Sequence, residues 1–354
     1  MPTVLITGIT GFLAPYVALS FLTRDWKVHA TLRSDSKKAA VEASPLGPYI
    51  SSGQLELFVT GSLETGDYSK AIAGVDAVVH TASPVEFSDK DFETVHLAPA
   101  LEGTKRVMDA AVKEESVKAV VYTSTYGAVG NHRIAPWAQA GVVLNEENWN
   151  PYTREELNDI DKNGWDPKKD FYNPGSLFYA GSKKYAELAA WEIKKTSGAK
   201  WSLASMNPTM IYGAPIQPQT SLSQGGMSTE IIYALLSGQD KPISPTYWPY
   251  YVDVRDCAEA HYQAVIKQAT GRFLLAARAY DFQEIADKAR ELYPNEAYRI
   301  CKGTPGKYTY KDPGVYILDT TRSREILGIK YRSFEDTTKF AFDRILELEK
   351  AGLK

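Results

Sequence analysis

Short apolar runs alternate with helical patterns through residue 276. Seven runs read as strands: Val4–Thr7, Val28–Leu32, Leu55–Val59, Ala77–His80, Ala119–Thr123, Ser202–Met206 and Phe273–Ala276. Several are apolar without strict alternation, the pattern of strands covered by helices on both faces. Between them Ala14–Thr23, Tyr68–Ile72, Ala98–Lys113 and Tyr179–Lys195 carry helical spacing, and Phe334–Lys350 is an amphipathic helix. This order predicts an α/β protein built on a doubly wound parallel sheet with a smaller C-terminal substrate lobe. We expect the sheet domain over residues 1–213, with an insertion at 131–178 and a return of parts of 250–280. Residues 214–354 then form most of the lobe. The insertion carries Trp137, Trp149 and Trp165, and stretches that long are usually locally folded or functional. Gly213–Pro218, Gly225–Gly226 and Lys241–Tyr251 read as loops over a site.

Composition narrows the function. Apolar residues make up 44% of the 354 and charged residues 23%, which suits a globular chain with a large core. Forty Lys+Arg against 43 Asp+Glu leave a net charge of −3 with no basic run, so no nucleic-acid partner is expected. No apolar run reaches the ~18 residues of a membrane span, so no membrane partner is expected either. The first strand-like run starts at Val4, leaving no room for a signal peptide. Cys257 and Cys301 are too few for a disulfide framework, and the five histidines include no ligand-spaced pair. These features point to a cytoplasmic protein without a metal, acting as a monomer or homodimer.

Three groups of residues suggest chemistry. The first run leads into Gly8-Ile-Thr-Gly11-Phe-Leu-Ala14 and a helix. That strand, glycine turn and helix start match the dinucleotide cradle of a Rossmann domain, where backbone N–H groups and the helix dipole face a pyrophosphate; the alternative is an ordinary strand–helix turn. Pro15 falls in the first helical turn, where its missing N–H is tolerated. The second strand ends at Leu32-Arg33, where an NAD-binding chain would carry a carboxylate. The planar fork of Arg33 suits the 2′-phosphate of NADPH/NADP+, and Lys37 or Lys38 could add charge. Asp35 would oppose this reading if the strand ran two residues further.

Tyr179 and Lys183 stand four apart at the opening of a helical pattern, so phenol and ammonium share one face. A nearby cation favours the phenolate and brings tyrosine toward useful acid–base work. Ser124 and Thr125 end the fifth strand, where parallel sheets bind ligands; either hydroxyl could donate to a carbonyl oxygen or merely cap the strand.

Taken together, the chain resembles an extended short-chain dehydrogenase/reductase of the dihydroflavonol-reductase/cinnamoyl-CoA-reductase-like branch, which includes fungal aldehyde and ketone reductases. The motifs are Thr7–Ala14, Ala30–Arg33, Val79–Pro84, Glu102–Thr104, Tyr122–Thr125, Tyr179–Lys183, Asn207–Gly213 and Val252–Asp256. The resemblance implies that Tyr179 is the general acid, that Lys183 holds the nicotinamide ribose and lowers the phenol's pKa, and that Thr125 rather than Ser124 is the aligned catalytic hydroxyl. It implies cofactor contacts at Thr7, Gly8, Gly11, Phe12, Leu13, Thr81, Ala82, Ser83 and Thr104, with Pro208, Thr209 and Ile211 flanking the nicotinamide. Where the family carries Asp-Leu against the adenine, this chain has Ser62-Leu63. The interval from Thr125 to Tyr179 is also longer than usual.

The expected function is an NADPH-dependent reductase of a small-molecule aldehyde or ketone. Trp137, Phe178, Tyr212 and Trp248 are candidates for an aromatic-tolerant substrate pocket. Alternatives are an NAD-retaining sugar-nucleotide epimerase or dehydratase, or a non-catalytic NADP sensor of the same fold.

Overall fold

The computed structural model describes residues 1–89, 91–217, 221 and 226–353. Pro218 and Gly225, expected in loops, lie outside them. The strands, in chain order, are β1 Thr3–Thr7, β2 Lys27–Leu32, β3 Leu55–Val59, β4 Ala77–His80, β5 Ala119–Thr123, β6 Val143–Leu144, β7 Ser202–Pro208, β8 Met210–Tyr212, β9 Tyr250–Asp253, β10 Gly271–Leu275, β11 Arg278–Ala279 and β12 Ile317–Leu318.

The seven apolar runs become one seven-stranded sheet in the order β10-β7-β5-β4-β1-β2-β3, with every neighbouring pair parallel. Register is set across the centre by Ile6 opposite Ala30 and Val79, and by Val121 opposite Ala204. Two apolar layers explain the lack of alternation. On one face the helices Ala14–Leu22 and Val254–Ile266 pack with Val4, Ile6, Val28 and Val79. On the other, Ala98–Lys113 and Pro174–Ser197 pack with Leu5, Val78, Val120 and Leu203. The chain runs outward from β1 through β2 to β3, then returns to place β4 on the other side of β1. The C-terminal ends of β1 and β4 therefore flank a topological switch point, where ligands bind in open α/β sheets.

A small sheet, β11-β9-β8, sits beside the helices Phe282–Leu292 and Phe334–Lys350 around a separate core of Tyr251, Tyr280, Ile285 and Phe342. The insertion is locally folded. Its helix Arg154–Asn163 starts in a capping box between Thr153 and Glu156, and β6 pairs with β12 from near the C-terminus.

Most boundaries fall within two residues of expectation, and the largest shift is at one helix. The helix bearing Tyr179 starts at Pro174 instead of Tyr179. Asn173 caps it by accepting from Ser176 N at 3.0 Å, and Pro174 fills the first turn. Tyr179 thus stands in the second turn, held by helix on both sides.

Candidate active site

The glycine turn is shaped by backbone geometry. Gly8 has φ +77°, and a Cβ there would lie 2.9 Å from Ala82 Cβ. Gly11 N donates to the Gly8 carbonyl at 2.9 Å, closing the turn before the helix Ala14–Leu22. Thr7 is fully buried and braces this region from beneath: its hydroxyl accepts from Ala82 N at 3.1 Å and pairs with His80 Nδ1 at 2.8 Å. Burial pushes the His80 imidazole down to about 3, so this brace is neutral.

A cleft of about 400 Å³ runs across the switch point, within the usual range of ligand sites. Gly8, Gly11, Phe12 and Leu13 line its first wall, Thr81, Ala82 and Ser83 the next, and Pro208, Thr209 and Ile211 the far end. Arg33 and Leu63 also line it, as do Tyr68 and Thr10, which sequence reasoning missed. β2 ends at Leu32, so Arg33 is the first residue past the strand. Asp35 lies in the following turn, ion-paired with Lys38 at 2.8 Å, and does not line the cleft.

Four expected cofactor contacts lie outside this lining. Thr7 and Thr104 are buried supports; the Thr104 hydroxyl donates to Tyr122 Oη at 3.4 Å. The Ser62 hydroxyl pairs with Thr65 Oγ1 at 2.8 Å, while the cleft wall beside it is Gly61 and Leu63. Lys37 lines a neighbouring cavity of about 100 Å³ with Pro15 and Gln217. Gln217, also missed, donates through its side-chain amide to the Gly11 carbonyl.

A second cavity of about 390 Å³ opens from the nicotinamide end expected from the motifs. Its walls include Phe87, Tyr126, Met210, Met227, Trp248 and Tyr316. Tyr126, Tyr316 and Tyr250 form a stack with centroid separations of 5.3 and 5.6 Å. None of the described residues lining it is charged. Thr125 and Tyr179 line both cavities.

Of the four aromatic candidates for substrate contact, only Trp248 lines this pocket; the other three need correction. Phe178 is fully buried against Phe92 and His96, because adjacent positions on a helix point about 100° apart and its side chain turns away from that of Tyr179. Tyr212 is buried in the lobe core, its hydroxyl paired with Tyr280 Oη at 2.8 Å. Trp137 packs edge-on against Phe171 within the insertion.

At the junction the two strand-end hydroxyls separate. Ser124 Oγ donates to Glu187 Oε2 at 2.6 Å in the core. Thr125 lines both cavities beside the Tyr179 phenol, its Oγ1 accepting from Gly127 N at 3.1 Å. Lys183 is buried; its Nζ donates to the Thr123 carbonyl at 2.9 Å and to Ser83 Oγ at 3.3 Å. Burial pushes Lys183 down to about 8, opposed by Glu187. Burial also raises the Tyr179 phenol, and the lowering influence comes from Thr125. The Lys183 ammonium is held by the Thr123 carbonyl and Ser83 Oγ.

The donor set fits a dinucleotide. The glycine turn leaves backbone exposed where a side chain would intrude, a guanidinium stands at the end of β2, and apolar residues flank the far end. Among the described residues no cluster of three or more His, Cys, Asp or Glu could hold a metal ion.

The sequence matches the model of the NAD dependent epimerase/dehydratase family over residues 4–276. The chain is similar to the NADPH-dependent methylglyoxal reductase of Saccharomyces cerevisiae, at 31% identity over 98% of this chain and 99% of that protein. It is 30% identical to aldehyde reductase 2 of Sporidiobolus salmonicolor over 95% of this chain and 94% of that one. The crystal structure of the yeast methylglyoxal/isovaleraldehyde reductase complexed with NADPH superposes with a TM-score of 0.84 at 27% identity, covering 98% of this chain and 99% of that chain.

Proposed function

The chain belongs to the NAD dependent epimerase/dehydratase family, and we propose that within it this protein is an NADPH-dependent carbonyl reductase. The observation that carries the reading is the junction: Thr125 and Tyr179 face a dinucleotide cleft on one side and an apolar pocket on the other. The glycine turn, Leu13 and Thr81–Ser83 would hold the pyrophosphate side of the cofactor, Arg33 its 2′-phosphate, and Pro208, Thr209 and Ile211 its nicotinamide face. When bound, NADPH supplies the hydride that adds to the carbonyl carbon. Thr125 and Tyr179 hydrogen-bond the carbonyl oxygen as negative charge develops there. Tyr179 then gives its Oη proton to that oxygen, yielding the alcohol. Its raised pKa keeps the phenol protonated before transfer. Lys183, anchored by Thr123 and Ser83, holds a positive charge nearby and supports reprotonation of the phenol.

The pocket favours neutral, apolar carbonyl compounds, including aryl ketones, because burying an unpaired charge there would be costly. The same uncharged lining disfavours a sugar-nucleotide diphosphate, and Arg33 disfavours retained NAD. The presence of Tyr179, Lys183 and Thr125 around one junction favours catalysis over a purely sensing role. The site is completed within one chain, and we assign a monomer or homodimer. Two buried free cysteines suit a reducing compartment, and we place the enzyme in the cytoplasm. Among the described residues no helix is long and apolar enough to cross a membrane.

The test follows NADPH oxidation by the purified chain with aryl ketones, branched aldehydes, 2-oxo acids and nucleotide sugars. Turnover of the neutral carbonyl compounds with NADPH, and little with NADH, is expected. Stoichiometric retained NAD with no carbonyl turnover would overturn the reading.

A further inference from the structure

Glu187 has no exposure to solvent, and the reduction as described does not use it directly. It lies one helical turn beyond Lys183 on Pro174–Ser197. Its carboxylate accepts from Ser124 Oγ at 2.6 Å, Arg272 Nε at 2.7 Å, Asn207 Nδ2 at 3.0 Å and Trp191 Nε1 at 3.3 Å. These donors stand just past β5, on β10, on β7 and on the helix itself. Asn207 also donates to the Thr125 carbonyl at 3.2 Å. Arg272 carries the network into the insertion, donating to the carbonyls of Glu146 and Asn148 at 2.7 and 2.6 Å and stacking 3.6 Å from the Trp149 ring centre. A buried ion pair is weak evidence for stability, since desolvation offsets much of its attraction. What a carboxylate adds over an apolar side chain is direction and charge.

We propose that Glu187 is a positioning residue of the reduction: it locks the strand end bearing Thr125 against the helix bearing Tyr179 and Lys183, and keeps a negative charge facing Lys183. The proposal rests on the carbonyl-reductase reading. Around Lys183 stand Tyr179 and Glu187 from its own helix, His80 of β4 and Tyr122 of β5, whose ring centre is 5.2 Å from Nζ. His80 is neutral near pH 7, and burial raises both phenols, so neither tyrosine adds charge. Glu187 is the group that opposes the loss of the Lys183 proton. Lys183 is protonated below about 8, so removing that negative charge moves its deprotonation to lower pH.

The test compares kcat against pH for the full chain and Glu187→Gln, at saturating NADPH and a neutral ketone. The expected result is a high-pH limb displaced acidward by about one pH unit. Plateau kcat falls about tenfold or more, while the NADPH Kd stays within about twofold of wild type because the cleft walls do not include Glu187. Glu187→Asp restores the limb. A merely structural role would lower the active fraction and leave the limb in place, and that result overturns the proposal. Should Glu187→Gln fail to fold, Ser124→Ala removes one bond and keeps the charge. It then lowers kcat several-fold with the limb unmoved; a wild-type kcat overturns the proposal. A wild-type protein inactive on every carbonyl would instead defeat the underlying reading, and the proposal with it.

Discussion

The two cavities that meet at Tyr179 are built in different ways. The cofactor cleft is made largely of strand ends and the turns that follow them, so most of its walls come from short stretches within 8–14, 31–33, 60–63, 81–85, 123–125 and 208–211, joined by Tyr68, Tyr179 and Lys183. Much of its recognition lies in backbone conformation, as at Gly8. The second pocket shares Thr125, Tyr179, Thr209 and Ile211 with the cleft, but adds Phe87, Tyr126, Met227, Trp248 and Tyr316 from segments far apart in sequence that meet through packing. The same difference suggests that cofactor preference and substrate preference can be altered separately.

Four substitutions test that division. Tyr179→Phe, at the shared wall, should have the largest effect: kcat falls about 10²–10⁴-fold with the NADPH Kd unchanged in a fluorescence titration. Wild-type turnover would remove the phenol as proton donor. Arg33→Ala touches only the cleft. It should weaken NADPH by about 10–100-fold, the loss of a charge-assisted hydrogen bond, and leave the NADH and carbonyl KM values unaltered; an equal loss with NADH would discredit the phosphate contact.

Trp248→Ala touches only the pocket, and should raise the KM for an aryl ketone about tenfold through lost apolar contact while the NADPH Kd holds. The Arg33→Ala and Trp248→Ala effects should add in the double variant, since separate sites couple weakly; strong coupling would show that the cavities are not independent. Tyr212→Phe should have the smallest effect. It removes the hydroxyl pair with Tyr280 and should lower unfolding free energy by about 1 kcal/mol, with both KM values unchanged in steady-state assays. A raised carbonyl KM would return Tyr212 to the substrate site.

The misread residues share a cause. Phe178 and Tyr212 adjoin Tyr179 and Ile211, which line the junction. On a helix or strand the neighbouring side chain points elsewhere, so each became core. Ser124 and Thr125 differ in the same way: the Ser124 hydroxyl turns inward to Glu187, while Thr125 lines both cavities. The helix starts at Pro174, five residues ahead of the expected Tyr179, because Asn173 caps it and Pro174 fits the first turn. Phe87 leaves no periodic trace, and only the fold sets its ring 4.8 Å from that of Tyr179.

The sequence alone determined the seven strands, their doubly wound order of use, the glycine turn and the spacing of Tyr179 and Lys183. Each depends on local apolar period, backbone freedom or a single helical turn, which neighbouring residues encode. Tertiary structure decided which strand-end hydroxyl faces the phenol, which aromatics wall the pocket, and that Lys183 leans toward Thr123 and Ser83 with Glu187 behind it. Those outcomes depend on side chains brought together from distant segments, where close packing and the pairing of buried polar groups choose the partners.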